Sequence, residues 1–377
     1  MINLNAGSKS VLSVLALLAL IAFLLVEYDK VDVKLKWYDQ KIEAAKLSKK
    51  ASEFLKEFRM QKSVFIDAIN DPNETALIGQ DITPITTDRG YIEAKLTATN
   101  PNFAAVVVEM LKEAELEKND VVAVAMTGSL PGINIAVHSA LQTLKIKPII
   151  ITSVGASNWG ANDPYYTWLD MERILFDEGI FKFKSVAASV GGGLDRGRGL
   201  GPEGRQLLID AIQRNKIEFI NEEYLENSIQ KRIEIYNKRR EKDKIKAFIN
   251  VGGGISSIGS TENVQFIPNG LITSLPMKNF PTRGVIIQMA EKNIPVIHLF
   301  NINQLAHQYG LPIGPTPLPQ PGEGEIFVQK RYSVILTAAL TLFLVAAITF
   351  VFVMEMKRHR LGSERIPMQK EVGTMEI

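Results

Sequence analysis

The chain of 377 residues contains no cysteine. That excludes disulfides, cysteine nucleophiles, iron–sulfur clusters and thiolate zinc sites. Histidine is scarce. His138, His298, His307 and His359 are the four present, and none stands in an HxxxH or HxH spacing, so a histidine-built metal site is not expected; the reading as a whole expects no metal and no other cofactor. A charge excess is also missing. Lys and Arg number 43 against 41 Asp and Glu, which leaves no concentrated basic surface for a nucleic acid. With 46% hydrophobic and 22% charged residues, the composition of a disordered chain is absent too.

What is present is two long apolar runs. Val11 to Val26 is apolar apart from Ser13, and Val334 to Met354 is broken only by Thr337, Thr341 and Thr349. As helices they span about 24 Å and about 31 Å, the second enough to cross a bilayer and the first workable with its flanks at the interface. A cleaved signal peptide is the other reading of the first run, but Glu27, Tyr28, Asp29 and Lys30 offer no small-x-small cleavage site. A buried core helix is the other reading of the second. Lys357, Arg358, Arg360 and Arg365 follow it, against Lys330 and Arg331 before it. Positive-inside then puts the C-terminus in the cytoplasm, and two spans put the N-terminus there as well. Lys9 before the first run, against Lys30, Lys34 and Lys36 after it, argues weakly the other way. The expected segments are a cytoplasmic tail 1–10, a first span 11–27, an amphipathic stalk helix 28–75, an extracytoplasmic α/β domain 76–311, a Pro-rich strap 312–332, a second span 333–354 and a cytoplasmic tail 355–377.

The stalk reading rests on Tyr38 to Asn70, where Ala51, Phe54, Leu55, Phe58, Phe65, Ile66 and Ile69 recur at helical spacing until Asp71-Pro72-Asn73. From there strand and helix patterns alternate. Strand-type runs are Val121–Met126, Pro148–Thr152, Ser185–Ser189, Ile217–Ile220, Ile245–Val251 and Pro295–Phe300, with helical patterns between them. Six such runs imply a Rossmann-like α/β fold, a mostly parallel sheet with helices on both faces. Pro312, Pro315, Pro317, Pro319 and Pro321 form a stiff extended segment, either a spacer or a recognition motif.

Four strand ends run into Gly-rich loops. They are Thr127-Gly128-Ser129-Leu130-Pro131-Gly132, Ser153-Val154-Gly155-Ala156-Ser157-Asn158, Gly191-Gly192-Gly193-Leu194-Asp195-Arg196-Gly197-Arg198, and Gly252-Gly253-Gly254-Ile255-Ser256-Ser257. In a parallel sheet such loops gather at the carboxyl edge, where ligands bind, and helix N-termini after them offer free N–H groups to an anion. The candidate ligand-binding residues are therefore Thr127, Gly128, Ser129, Ser153, Ser157, Asn158, Asp163, Asp195, Arg196, Arg198, Gly252, Gly253 and Ser256. The bland reading is tight strand-to-helix turns. Ser129 is either a nucleophile without an evident histidine partner or the N-cap of the next helix. Asp163, before Pro164, is either a ligand or a turn initiator. Asp195 is either a ligand or a local ion-pair partner of Arg196. Gly199-Leu200-Gly201-Pro202-Glu203-Gly204 matches G-x-G-x-x-G but starts ten residues after the strand ends, which the dinucleotide fingerprint does not permit. No Walker-A pattern is present.

Three stretches carry a family resemblance: MTGSLPGINIAVHSALQTLKIKPIIITSVGASNWGANDP with WLDMERIL, SVAASVGGGLDRGRGLGPEGRQLL, and KAFINVGGGISSIG with RGVIIQMAEKNIPVIHLFNI. With Asp81-Ile82-Thr83-Pro84-Ile85-Thr86-Thr87 they cover most of the region between the runs. The chain resembles the poly-γ-glutamate system protein family. That resemblance implies a membrane protein of the bacterial plasma membrane, working beside the machinery that makes and exports poly-γ-glutamate. Its implied partners are the polymer itself or the synthase and export subunits. It implies no catalytic residues. Two functions follow: an accessory component that binds the polyanion or the synthase, or an extracytoplasmic γ-glutamyl hydrolase or transferase. The free carboxylates of the polymer match Gly loops, helix N-termini, Arg196 and Arg198.

Overall fold

The computed structural model describes residues 8–62, 66–276 and 279–363, with only the backbone of residues 358, 359 and 361–363. Expectations that fall on Phe65, on Arg365 and on the rest of the two tails, 1–7 and 364–377, lie outside the described residues. In chain order the elements are α1 (Lys9–Tyr28), β1 (Lys30–Lys34), α2 (Tyr38–Gln61), β2 (Thr86–Asp88), α3 (Ile92–Ala98), α4 (Phe103–Glu113), β3 (Val121–Thr127), α5 (Pro131–Leu144), β4 (Lys147–Ser153), β5 (Ala156–Ser157), α6 (Trp168–Asp177) and β6 (Ala187–Ser189). There follow α7 (Pro202–Arg214), β7 (Glu218–Phe219), α8 (Leu225–Arg239), β8 (Ile245–Val251), α9 (Ile255–Ile258), a 3-10 turn Thr261–Phe266, β9 (Gly270–Ile272), α10 (Val285–Ala290), β10 (Val296–Leu299), α11 (Ile302–Gln308), β11 (Val328–Tyr332) and α12 (Val334–Ser363). They form two compact units, Met1–Lys34 with Val328–Ile377, and Leu35–Phe327.

The first unit holds both apolar helices. Lys9–Tyr28 has 20 residues and Val334–Lys357 has 24, each long and apolar enough to cross a membrane. Val11, Ala22 and Val351 are buried in this unit, while most of the other large apolar side chains on the two helices are exposed. β1 and β11 form an antiparallel ribbon from Lys30↔Tyr332 to Lys34↔Val328. The ribbon replaces the first part of the expected stalk helix and the end of the expected strap. Lys30-Val31-Asp32-Val33-Lys34 alternates with period two and carries β-branched residues, which favours a strand over a helix. The Tyr332 hydroxyl donates to Glu27 Oε2 at 2.9 Å.

In the second unit, α2 ends at Gln61 rather than running to Asn70. Asp67 accepts the N–H groups of Ile69 (3.0 Å) and Asn70 (3.4 Å), a local turn that competes with helical bonding. Lys41, Ala44, Ala45, Ser48, Ala51 and Leu55 are the buried face of α2, and the small Ala44, Ala45, Ser48 and Ala51 among them let it lie close to α4 and α5. The Pro-rich segment belongs to this unit and is tied down along its length. Asn73 donates to the Pro315 carbonyl (2.7 Å), Gly314 N–H to Thr97 Oγ1 (2.9 Å), and Asn102 Nδ2 to the carbonyls of Gln320 (2.9 Å) and Glu323 (3.0 Å).

The central sheet has seven strands in the order β7-β6-β4-β3-β8-β10-β9. The six strands read from the sequence are mutually parallel, and β9 adds an antiparallel edge on β10. β9 escaped the sequence reading because it has three residues and begins with Gly270 at φ +89°. Every residue of β3 is buried. Val121, Ala123 and Ala125 share a core with Ile229, Ile233 and Tyr236 of α8 and with Val285 and Met289 of α10. The alternate residues, Val122, Val124 and Met126, therefore point to the opposite face. A second core joins Ala188 and Val190 to Leu169 of α6 and to Leu208, Ala211 and Ile212 of α7.

Candidate functional site

Chain order runs outward from β3 through β4, β6 and β7 on one side, and from β8 to β10 on the other. The reversal falls between β3 and β8, and the crevice outside their carboxyl ends is where ligands bind in open α/β sheets. Three of the four Gly-rich loops converge there. A Cβ on Gly252, whose φ is +84°, would lie 2.4 Å from Thr127 Oγ1. One on Gly254 would lie 3.3 Å from Thr127 Cγ2 and 3.8 Å from Ser153 Oγ. One on Gly128 would strike the Val154 carbonyl at 2.4 Å. Glycine at these places brings the loops into contact. Gly253 approaches the Phe300 ring, and Ser256 is buried with a hydroxyl that has no partner among the described residues.

The serines divide by task. Ser129 is not the N-cap of α5. That position is Leu130, and Pro131 opens the helix at its first turn. Ser129 Oγ instead accepts the Ser157 N–H at 3.1 Å, so it ties the β3 loop to β5. Ser153 lies in a buried polar knot below the loops. Arg232 of α8 donates from Nη2 to Ser153 Oγ (3.0 Å), Ser189 Oγ (2.6 Å) and Asp195 Oδ2 (2.9 Å). Asp195 also accepts the hydroxyls of Ser153, Ser189 and Ser228. Asp195 and Arg232 are each 1% exposed at the side chain. Asp195 thus points inward to Arg232, not to its sequence neighbour Arg196. Arg196 is exposed and donates to the Glu223 carbonyl at 3.1 Å. Arg198 is exposed at the same loop, and no described residue engages its guanidinium.

A segment crosses this edge on the β4 and β6 side. It is Asp81 to Gly90, and β2 within it pairs parallel with β5. Asn158 holds it at both ends. Its Nδ2 donates to Asp81 Oδ1 (2.8 Å), and its Oδ1 accepts the Gly90 N–H (3.0 Å). The Thr87 methyl fills the space that a Cβ on Gly155 or Gly192 would need. Asn158 is therefore a clasp for this cover. Asp163 lies apart. It accepts the Tyr165 N–H (2.9 Å), as a turn initiator does, and Arg59 Nη2 (3.3 Å), while Arg59 also lies 4.5 Å from the Tyr166 ring centre. Those groups line a separate cavity of about 320 Å³ with Lys62, Arg173 and Arg214.

Beneath the cover is a residue that the sequence reading passed over. Lys95 of α3 is 5% exposed, donates to Ser157 Oγ at 2.7 Å, and also donates to the Ser129 carbonyl. It makes no ion pair among the described residues, and burial pulls its pKa from 10.5 down to about 7. A signal was there: Lys95 is three residues from both Ile92 and Ala98, on a helix face that is otherwise apolar or small. Neither interior histidine contacts these serines. His138 Nε2 bonds Glu172 Oε1 at 3.1 Å and its ring stacks on Phe181, and His298 Nδ1 bonds Asn250 at 3.0 Å. Burial pushes His298 down to about 4, so it is neutral near pH 7. Among the described residues no cluster of three His, Asp or Glu side chains is placed to hold a metal ion.

Comparison with protein-family models, with curated proteins and with solved structures finds no match to this chain.

Proposed function

We propose that this protein is a membrane-anchored component of a poly-γ-glutamate synthesis or export system. Its Rossmann-like α/β unit lies outside the cytoplasm and binds the anionic polymer, or the synthase that makes it, at the carboxyl edge of the sheet. The observation that carries this reading is the convergence of the Thr127–Ser129, Ser153–Ser157 and Gly252–Ser256 loops at the strand-order reversal, with Arg198 at the neighbouring loop exposed and its guanidinium engaged by none of the described residues. A γ-linked glutamate chain carries one carboxylate per unit, and a planar guanidinium binds carboxylates in bidentate fashion. The resemblance to the poly-γ-glutamate system family names the polymer.

Arg198→Ala is expected to weaken binding of short γ-glutamate oligomers by about ten-fold, since a charge-assisted bond contributes about 1.5–3 kcal/mol. Arg198→Lys should recover part of it, and Arg196→Ala should cost less because Arg196 already bonds the Glu223 carbonyl. Calorimetric titration of the full chain in detergent reads this out. Equal affinity in wild type and Arg198→Ala would remove Arg198 from the site.

The membrane arrangement has its own test. Single cysteines at Ser8 and Asn227 are unambiguous reporters in a chain without native thiols. With both termini in the cytoplasm, an impermeant maleimide applied to intact cells labels position 227 and spares position 8. Labelling of position 8 alone would reverse the orientation.

A further inference from the structure

We infer that Ser157 is a nucleophile, with Lys95 as its general base, in a site that cleaves or transfers an amide-linked acyl group. The arrangement is built, not incidental. Lys95 Nζ lies 2.7 Å from Ser157 Oγ. The Ser157 N–H is held at 3.1 Å by Ser129 Oγ, which fixes the backbone that presents the hydroxyl. Gly90 closes over both groups. A Cβ there would lie 3.0 Å from Ser157 Oγ, 3.2 Å from Lys95 Cε and 2.7 Å from the Asn158 carbonyl, so glycine is what permits this approach. Among the described residues Lys95 bonds neutral oxygens and no carboxylate. Asp81, Asp88 and Arg89 lie on the covering segment, Glu93 on its own helix and His307 on α11, and none of them forms an ion pair with it. Asp81 is bound by Asn158, Asp88 accepts the Arg89 N–H, and Glu93 accepts from Asn303. A buried amine without a carboxylate sheds its proton easily, and burial sets Lys95 at about 7. A serine activated by a neutral lysine is a known solution to nucleophilic catalysis without histidine.

The chemistry balances with water or an amine as the only co-reactant. The Lys95 amine takes the proton from Ser157 Oγ as the oxygen bonds to the amide carbonyl carbon. The C–N bond then breaks, the Lys95 ammonium returns its proton to the leaving nitrogen, and a Ser157 acyl ester remains. Water, or the amine of an acceptor chain, gives a proton to Lys95 and attacks the ester, and the proton returns to Ser157 Oγ as that oxygen leaves. The substrate class, a γ-glutamyl amide, rests on the proposed function; the nucleophile does not.

The test uses the full chain in detergent and a fluorophosphonate probe, which reacts with activated serines whatever their natural substrate. Mass spectrometry is expected to find one adduct, on Ser157. Its rate should rise with pH and level off above about 7, where Lys95 is neutral. Ser157→Ala should lose the adduct. Lys95→Arg, which keeps the donor and the charge but cannot act as a base, should slow it by about 100-fold or more. Ser157→Cys gives an independent reading that nearly preserves size. A lone thiol beside Lys95 should titrate below the usual value of about 8.5, read by iodoacetamide alkylation against pH. A wild-type Ser157 left unmodified by the probe, or a Ser157→Cys thiol titrating at or above the ordinary value, would make Lys95 a structural clasp and overturn the inference. Neither readout involves the polymer. Lost affinity for γ-glutamate oligomers with intact labelling therefore bears on the proposed function alone, and the reverse result on the nucleophile alone.

Discussion

Asp195→Asn is expected to destabilise the Leu35–Phe327 unit by about 3–5 kcal/mol, the usual consequence of stranding one member of a buried ion pair. The carboxylate receives four donors: Arg232 Nη2 at 2.9 Å and the hydroxyls of Ser228 (2.6 Å), Ser189 (2.7 Å) and Ser153 (3.1 Å). Asparagine keeps the shape but turns an acceptor oxygen into an NH₂ that faces donors. It also leaves Arg232, 1% exposed, as an uncompensated charge whose Nε has no partner among the described residues. Thermal unfolding followed by far-ultraviolet circular dichroism reads the loss. The double change Asp195→Leu with Arg232→Met removes both charges and should recover most of it, because a buried pair contributes little net stability over an apolar replacement. A single Asp195→Asn variant within about 0.5 kcal/mol of wild type, the range of ordinary surface substitutions, would mean that the knot is hydrated and not a buried pair.

Gly132→Ala is expected to destabilise, against what helix propensity says. Gly132 is the second residue of α5, and alanine in a helix is favoured over glycine by about 1 kcal/mol. The tertiary contact opposes this. A Cβ on Gly132 would lie 2.2 Å from the Ala98 carbonyl oxygen, 2.8 Å from its carbon and 3.1 Å from Thr99 Cα. All three are backbone atoms at the end of α3, so no side chain can swing away. Overpacking of this kind costs about 1–3 kcal/mol even after relaxation, and here the relaxation has to move α3. That helix carries Lys95, so the variant should also slow phosphonylation of Ser157. A stabilised Gly132→Ala protein with unchanged labelling would show that α3 moves without consequence for the Lys95–Ser157 contact.

The sequence by itself determined the two apolar helices and the six parallel strands, because both signals are local. A long apolar run, such as Val11–Val26 or Val334–Met354, or a β-branched run bounded by Gly-rich loops is legible one segment at a time. The edge at which the loops gather follows from the alternation alone. The sign of individual contacts did not follow. Asp195 reads as a partner of Arg196 or as a ligand, and only the packing of α8 against the sheet carries Arg232, 37 residues away, to its carboxylate. Ser129 reads as a helix cap, and only the approach of β5 turns its hydroxyl toward the Ser157 N–H. Lys95 reads as one more lysine on a short helix. Its character comes from burial under the Asp81–Gly90 segment, which removes water while the carboxylates of Asp81 and Asp88 bond elsewhere. Pairing between residues 62 or 37 positions apart depends on topology, and a lysine's proton affinity depends on what surrounds it. Neither is written in the neighbouring residues, so the strand edge could be found from the chain while the chemistry placed at it was decided by the fold.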